Sequence, residues 1–409
     1  MPWKAPAVSE LRFALCHSVR TLHLPVAAAA RRFGVSRKTA YKWLAVYDAG
    51  PHPCGAGALA DRPRRPLRSP RRTAPDGERA VLEVRDRYNW GPRKIHHFLL
   101  ARRGPGADPP AGAGAGATAG VPAPAPARAR APVPAARTIA DILRRHGRVA
   151  PAAGPQPLVR FERSEPNQLW QIDFKGPLEV DRRRVMPLSV LDDCSRYLLC
   201  FSPCRDRTMA TAWALLWEVF GAAGLPAQVL TDNGFNTQGG PSLGLGWFDS
   251  RLIRLGIRPA HGRPYHPQTQ GKVERLHGSS CRELIHFGAR LDRLDHFTHD
   301  CERWRAVYNA LRPHEALGDR PPVSRWRPSP TPRPPQLPDP ESFYPPGSVL
   351  RKVGSSGDVR FNRWRILAGR GIAGDTVRVE QRQRQIVLIY CWKPIRAVPH
   401  ESLKPDTML

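Results

Sequence analysis

The sequence predicts an α/β core built on a mixed sheet, with all-α helix-turn-helix units ahead of it and a small β-barrel behind it. Three observations carry that expectation. Helical patterns broken by a glycine open the chain, short turn-bounded apolar runs alternate with helices in its middle, and brief alternating pieces close it. At 409 residues the chain has room for several domains. Its 64 Lys and Arg against 35 Asp and Glu leave a formal charge of +29, which repels itself unless a polyanion neutralises it. That balance implies nucleic acid as the partner.

A membrane is the competing polyanionic surface, but the most apolar stretch, Met209 to Leu225, carries Glu218 in its middle and reads as a core helix. The opening "MPWKAPAVSELRFALCHSVR" has no apolar signal segment, so a cytoplasmic location is expected. Cys16, Cys54, Cys194, Cys200, Cys204, Cys281, Cys301 and Cys391 form no CxxC pair and no zinc-finger spacing, which predicts reduced, buried thiols.

Residues 1–60 read as a helix-turn-helix domain. Val26, Ala29, Ala30 and Phe33 recur at helical spacing and Gly34 ends the run. Ser36 then caps a second helix whose inner side is Ala40, Trp43, Leu44 and Tyr47. Arg37, Lys38, Thr39, Tyr41 and Lys42 fall on its outer face, where a helix N-terminus and its cations suit a major groove. Residues 1–150 hold 27 Lys and Arg against 9 Asp and Glu, so most of the excess charge lies in this part of the chain. A helical hairpin with a merely solvated basic face is the plainer reading, and the regional charge favours DNA binding.

Residues 61–150 read as a second such unit, interrupted at 104–136 by a Gly-, Ala- and Pro-rich insertion. "WGPRKIHHFLLARRG" supplies one helix. "RTIADILRRHG" supplies another, with Thr138 and Asp141 in capping-box register and Ile139, Ile142 and Leu143 inward.

Residues 160–318 form the expected core. "NQLWQIDFKGPLEV", "RRVMPLSVLDD" and "RYLLCFSPCRD" read as consecutive strands of a meander, followed by the helix from Met209, the strand "AQVL", a helical "RLIRLG" and a strand "IRPA". Asp173 sits amid Trp170, Ile172 and Phe174, where a carboxylate is costly unless something compensates it. Asp232 follows the fourth strand in "LTDNG". Glu274 lies on a helix whose inner face is Val273, Leu276, Cys281 and Leu284. Brought together, the three make an all-oxygen acidic cluster of the kind Mg²⁺ or Mn²⁺ prefers. Lys272 and Arg275 flank Glu274 and either grip a DNA backbone or line a solvated helix face. Tyr265 and His266 occupy a loop. Asp192 and Asp193 read as a turn pairing with Arg196.

"LWQIDFKG", "VLDDCSRYL", "LTDNG" and "HPQTQGKVERLH", in that order, with "YNALRPHEALGDRPP" after them, resemble the catalytic core of integrase-type DDE transposases of insertion sequences, relatives of retroviral integrases. The resemblance covers nearly the whole chain. It implies a ribonuclease-H-like core with Asp173, Asp232 and Glu274 as the catalytic, metal-binding triad. It also implies two Mg²⁺ or Mn²⁺ ions, cleavage and 3′-OH strand transfer on double-stranded DNA at element ends and target, and a homo-oligomer on DNA in a bacterial, nucleoid-associated setting. The 41 residues between Asp232 and Glu274 exceed the spacing of many members, and "NTQGGPSLGLG" holds the surplus as a loop. The zinc-binding module of the retroviral relatives has no counterpart here.

Residues 319–342 read as a stiff Pro-rich linker. Residues 343–409 read as a small barrel, SH3-like by the same resemblance, from alternations such as Val359 and Phe361, Val377 and Val379, and Ile386, Leu388 and Tyr390. Arg351, Lys352, Arg360, Arg363 and Arg365 make it either an auxiliary DNA-binding or an oligomerisation module. Two other functions are weighed against the transposase. A pure DNA-binding regulator has no use for Asp173 in an apolar strand, and a nuclease of RNA–DNA hybrids has none for end-recognition units.

Overall fold

The computed structural model describes residues 7–50, 56–61, 72–102, 132–148, 162–232, 244–262 and 271–402. Most of the 104–136 insertion, Cys54, the loop from Asn233 to Gly240, and Tyr265 and His266 lie outside the described residues. The chain forms two compact units, residues 1–72 and 73–409.

In the first unit α1 (Val8–Arg20), α2 (Val26–Arg32) and α3 (Arg37–Asp48) close around Leu15, Cys16, Ala29, Ala30, Ala40, Leu44 and Leu59. The turn between α2 and α3 needs a left-handed residue, and Gly34 supplies it at φ +65°. Ser36 caps α3 as its spacing predicts, its Oγ accepting the Thr39 N–H at 3.1 Å. Trp43 lies at the edge of this core with the Arg12 guanidinium 3.9 Å over its ring.

The second unit opens with α4 (Pro75–Tyr88), α5 (Pro92–Ala101) and α6 (Ala136–Arg145). Ile139, Ile142 and Leu143 are buried against Val81, Tyr88, Trp90, Ile95 and Phe98. The expected capping box fails. The N-cap is Ala135, which leaves Thr138 inside the helix and Asp141 paired with Arg144 at 2.5 Å. These helices also rest on the core that follows: Lys94 reaches Glu283 at 3.1 Å, and Glu283 binds Arg312 at 2.7 Å.

The core sheet comprises β1 (Trp170–Phe174), β2 (Leu178–Val180), β3 (Arg183–Asp192), β4 (Leu198–Cys204), and, after α7 (Met209–Ala223), β5 (Gln228–Thr231). It ends with α8 (Trp247–Arg254), β6 (Arg258–His261), α9 (Gly271–Glu283) and α10 (Leu294–Ala310). The first expected strand is two strands, parted at Gly176 and Pro177, and β2 folds back onto β3. The sheet runs β4, β3, β1, β5, β6. The β4–β3 and β3–β1 pairs are antiparallel, while β1–β5 and β5–β6 are parallel. This is the mixed sheet expected of a ribonuclease-H-like fold.

Both faces of the sheet are covered. Trp170, Ile172, Leu188, Val190 and Val229 pack under α7 and α8, through Leu216, Phe220, Phe248 and Leu252. Leu191, Leu198 and Phe201 pack under α9 and α10, through Val273, Leu276, Phe297, Cys301 and Trp304. Because side chains alternate along a strand, Gln171 and Asp173 face the α9 side while Trp170 and Ile172 face α7.

The Pro-rich segment, read from composition as a stiff linker, does not stand clear of the core. It is strapped to the core: Trp326 stacks on Tyr197 at 4.7 Å, Ser329 N–H bonds the Ala223 carbonyl at 2.8 Å, and Leu225 N–H bonds the Thr331 carbonyl at 2.8 Å. Beyond it lie β7 (Leu350–Lys352), the hairpin β8 (Asp358–Phe361) and β9 (Trp364–Leu367), then β10 (Thr376–Arg382), β11 (Gln385–Tyr390) and β12 (Lys393–Pro399). Among the described residues they form a small antiparallel sheet ordered β12, β11, β10, β7, and a separate β8–β9 hairpin that shares its core. This module seats on α8. Gly369, at φ +137°, lies so close to Leu245 that a Cβ would stand 2.1 Å from the Leu245 nitrogen, and the Trp392 indole donates to the Ile253 carbonyl at 2.7 Å.

Candidate active site

Asp173 is the fourth residue of β1 and Asp232 follows the last residue of β5. The parallel register sets Gln171 beside Leu230, and two residues onward along each strand stand Asp173 and Asp232. Neighbouring strands lie about 4.8 Å apart, so the two acids emerge side by side on one face of the sheet. Glu274 comes from the first turn of α9, which packs against that face.

The electrostatics of Asp173 register the other two acids. The Asp173 carboxyl is pushed up to about 7, first by burial and then by the negative charges of Asp232 and Glu274, with a main-chain bond from Phe174 opposing. Among the described residues no group of three or more His, Cys, Asp or Glu side chains is drawn together tightly enough to hold a metal ion. The acids feel one another without meeting at a point. Their chemistry nevertheless suits a hard divalent cation, because the donors are all oxygen and the charge that lifts Asp173 is what such an ion would offset.

Sequence reasoning missed two histidines beside these acids. His277, one turn after Glu274, places Nδ1 3.8 Å from Asp173 Oδ2 and Nε2 2.9 Å from Ser189 Oγ. Ser189 in turn donates to the Asp173 carbonyl at 2.9 Å. Burial, and then the charge of Lys175, pull His277 down to about 4, so it is neutral at pH 7. Its i+3 spacing from Glu274 was the available signal. His261 closes β6 with its Nδ1 3.0 Å from Thr231 Oγ1, a contact set by β5–β6 register that spacing along the chain does not reveal.

Lys272 does neither of the things expected of it. Its Nζ lies 2.5 Å from Asp193 Oδ1, and Asp193 also accepts from the Gln171 amide at 2.7 Å and the Arg163 N–H at 2.7 Å. The cation holds a buried carboxylate at the back of the site. Arg275 is exposed on α9. Asp192 does form a turn, accepting the Ser195 N–H at 2.7 Å and its hydroxyl at 2.6 Å. Arg196, expected to pair with these acids, bonds Glu162 at 2.8 Å and meets Asp193 only at its carbonyl, at 2.7 Å. In the first unit, Arg37, Lys38, Tyr41 and Lys42 are exposed on α3, and Thr39 is half-buried against Ser36.

A concavity lined by Tyr88, Trp90, Glu283, Trp304 and Tyr308 lies at the seam of α4 and α10 and contains none of the three acids. Asp173 and Asp232 instead stand toward the ends of β1 and β5, and Glu274 in the first turn of α9. The sequence matches the integrase core domain family over residues 163–267 and over residues 255–322, and a helix-turn-helix domain family over residues 19–66. The chain therefore contains an integrase catalytic core, that of a DDE polynucleotidyl transferase, with a helix-turn-helix domain ahead of it.

Individual likenesses agree. Over 112 residues, 27% of this chain, it is 34% identical to the Gag-Pro-Pol polyprotein of Simian retrovirus SRV-1, of which it covers 6%. Over 162 residues it is 28% identical to the 39.2 kDa protein of insertion element IS476 from Xanthomonas euvesicatoria, covering 39% of this chain and 44% of that one. Two solved structures are also similar. The simian T-cell lymphotropic virus intasome in complex with PP2A regulatory subunit B56 gamma shares 16% identity at a TM-score of 0.34, covering 67% of this chain and 92% of that one. The HTLV-2 integrase catalytic core domain in complex with magnesium shares 17% at 0.31, covering 40% and 99%. The chain spans less than half the length of these two curated relatives.

Proposed function

We propose that this chain is a DNA transposase that binds the ends of an insertion sequence and catalyses metal-dependent strand cleavage and 3′-OH strand transfer. The observation that carries the proposal is Asp173, whose carboxyl is raised to about 7 by burial and by Asp232 and Glu274. An acid kept about half-charged by burial and then by two acidic neighbours is poised to take up a cation. Asp173, Asp232 and Glu274 would hold Mg²⁺ or Mn²⁺. Two such ions, when bound, activate the attacking oxygen and stabilise the leaving oxygen of an in-line displacement at phosphorus.

Water attacks the phosphorus at the element end, the bond between that phosphorus and the element's 3′ oxygen breaks, a 3′-OH is freed on the element, and the phosphate stays on the 5′ end of the flanking strand. That 3′-OH attacks a target phosphodiester. One bond forms, one breaks, and the displaced target strand leaves with its own 3′-OH, so no protein nucleophile is consumed. His277, neutral and bonded through Ser189 to the Asp173 main chain, keeps the end of β1 in place during both steps. Arg37, Lys38, Thr39, Tyr41 and Lys42 of α3 read element-end DNA, Arg275 contacts its backbone, and the C-terminal sheet, an SH3-like barrel with its hairpin, adds basic surface. Copies of the chain assemble on double-stranded DNA.

The test is Asp232→Asn, which removes one ligand charge and little volume. It abolishes cleavage and joining in a strand-transfer assay while a gel shift on the same DNA stays near wild type. Joining at the wild-type rate would remove Asp232 from the site.

A further inference from the structure

His261 spans two elements. It is the last residue of β6, its backbone register faces Thr231, and its side chain reaches outward to α8. A carboxylate only accepts, so the ring Nε2–H donates to Asp249 Oδ2, at 2.8 Å. On its other side Nδ1 lies 3.0 Å from the Oγ1 of Thr231, the residue just before Asp232. Beside it the Gly262 N–H bonds the Thr231 carbonyl at 3.0 Å. The imidazole thus adds a side-chain hold at the end of β5, one residue before Asp232.

Asp249 is itself fixed. It is 8% exposed in the first turn of α8, and α8 is the helix on which the C-terminal sheet seats. Leu245 N–H bonds the Ala368 carbonyl at 2.8 Å, Gly371 N–H bonds the Leu245 carbonyl at 3.1 Å, and the charge of Lys393 on β12 acts on Asp249. Burial pulls the His261 pKa down, but the bond to Asp249 and its charge override this and leave it above the ordinary histidine value. A carboxylate–histidine pair whose far side fixes a ligand-bearing strand end is an arrangement that orients ligands elsewhere.

We propose that His261, oriented by Asp249, is the positioning residue for Asp232: through the Thr231 hydroxyl it holds the end of β5 so that the Asp232 carboxylate stands beside Asp173. This rests on the reading of Asp232 given above. A tie that merely stapled β6 to α8 would add stability and nothing else. A tie on Thr231, the residue next to Asp232, also sets how well the acid can serve as a ligand.

The full-length protein, His261→Ala, His261→Gln and Asp249→Asn are compared in strand transfer of a pre-cut end. Four quantities are read: kcat, KM for DNA, the Mg²⁺ concentration at half-maximal rate, and the melting temperature. His261→Ala lowers kcat about 10- to 100-fold and raises the half-maximal Mg²⁺ about tenfold, the range for partners that orient metal ligands, with KM within about twofold of wild type. His261→Gln, which keeps a donor and an acceptor, recovers much of the loss even if His261→Ala folds poorly. Asp249→Asn falls between them. A lower melting temperature with unchanged kcat and Mg²⁺ dependence in both His261 variants would reduce the residue to a staple and overturn the proposal. So would a raised KM with unchanged kcat. Asp232→Asn run alongside separates the two layers. Joining by Asp232→Asn at the wild-type rate refutes the underlying assignment and this proposal with it, whereas loss there with full activity in His261→Ala refutes the positioning role alone.

Discussion

His314 follows α10, and its ring is enclosed by the protein with a buried Nδ1 that has no hydrogen-bond partner. Burial, then the charges of Arg312, Arg196, Lys94 and Arg275, pull its pKa down to about 3 from 6.5. A histidine held neutral in the fold and free to protonate once unfolded contributes stability that is complete above about 6.5 and is lost as pH falls toward its folded value. At pH 5 the loss amounts to about 2 kcal/mol. Urea unfolding of wild type and His314→Gln at pH 7 and pH 5 checks this: wild type should lose about that much more than the variant. Parallel pH profiles would mean that His314 protonates freely in the folded protein. Asp173 was conspicuous in the sequence because its neighbours Trp170, Ile172 and Phe174 are apolar, and Asp232 and Glu274 were picked out with it by the motifs they sit in. The histidines near them were not. Partnership with Ser189 or Asp249 depends on strand register and helix placement, and neither is written in the local sequence.

The element that carries the DNA-recognition proposal is α3, and its inner and outer faces follow the helical spacing of Ala40, Leu44 and Tyr47. Arg37→Ala with Lys38→Ala leaves that inner face intact, so circular dichroism should be unchanged. Affinity for the element end should fall, and the slope of log affinity against log salt should flatten by up to about 0.9 for each phosphate no longer neutralised. An unchanged slope in the folded double variant would show that these cations touch no phosphate. Other elements were less readable. The helix α4 hides its inner residues Val81, Val84 and Tyr88 among Glu78, Arg79, Glu83, Arg85, Asp86 and Arg87, and its core appears only when Trp90, Phe98 and Ile139 close over it. Composition made residues 319–342 stiff but gave no hint of what they lie on, because the decisive contact, Trp326 on Tyr197, joins distant parts of the chain. Thr138 failed as a cap because the helix begins before it, at Ala136, where local spacing alone cannot fix the start.

At the scale of the whole molecule, a charge of +29 and an acidic cluster coexist in one chain. The cations suit a polyanion, and the acids would repel that same polyanion unless their own charge is offset. A divalent ion resolves the conflict, and this is why DNA and metal enter the proposed chemistry together. Among the described residues no helix is long and apolar enough to cross a membrane. The most direct measurement is therefore joining of a pre-cut element end into target DNA in Mg²⁺, Mn²⁺, Ca²⁺ or EDTA, with a gel shift to follow assembly. Hard oxygen donors predict joining in Mg²⁺ and Mn²⁺, assembly with little joining in Ca²⁺ because its looser shell holds the reacting oxygens poorly in line, and none in EDTA. Full joining in EDTA would contradict the account, since Asp173, Asp232 and Glu274 would then be performing the reaction without the ion that gives three neighbouring carboxylates their purpose.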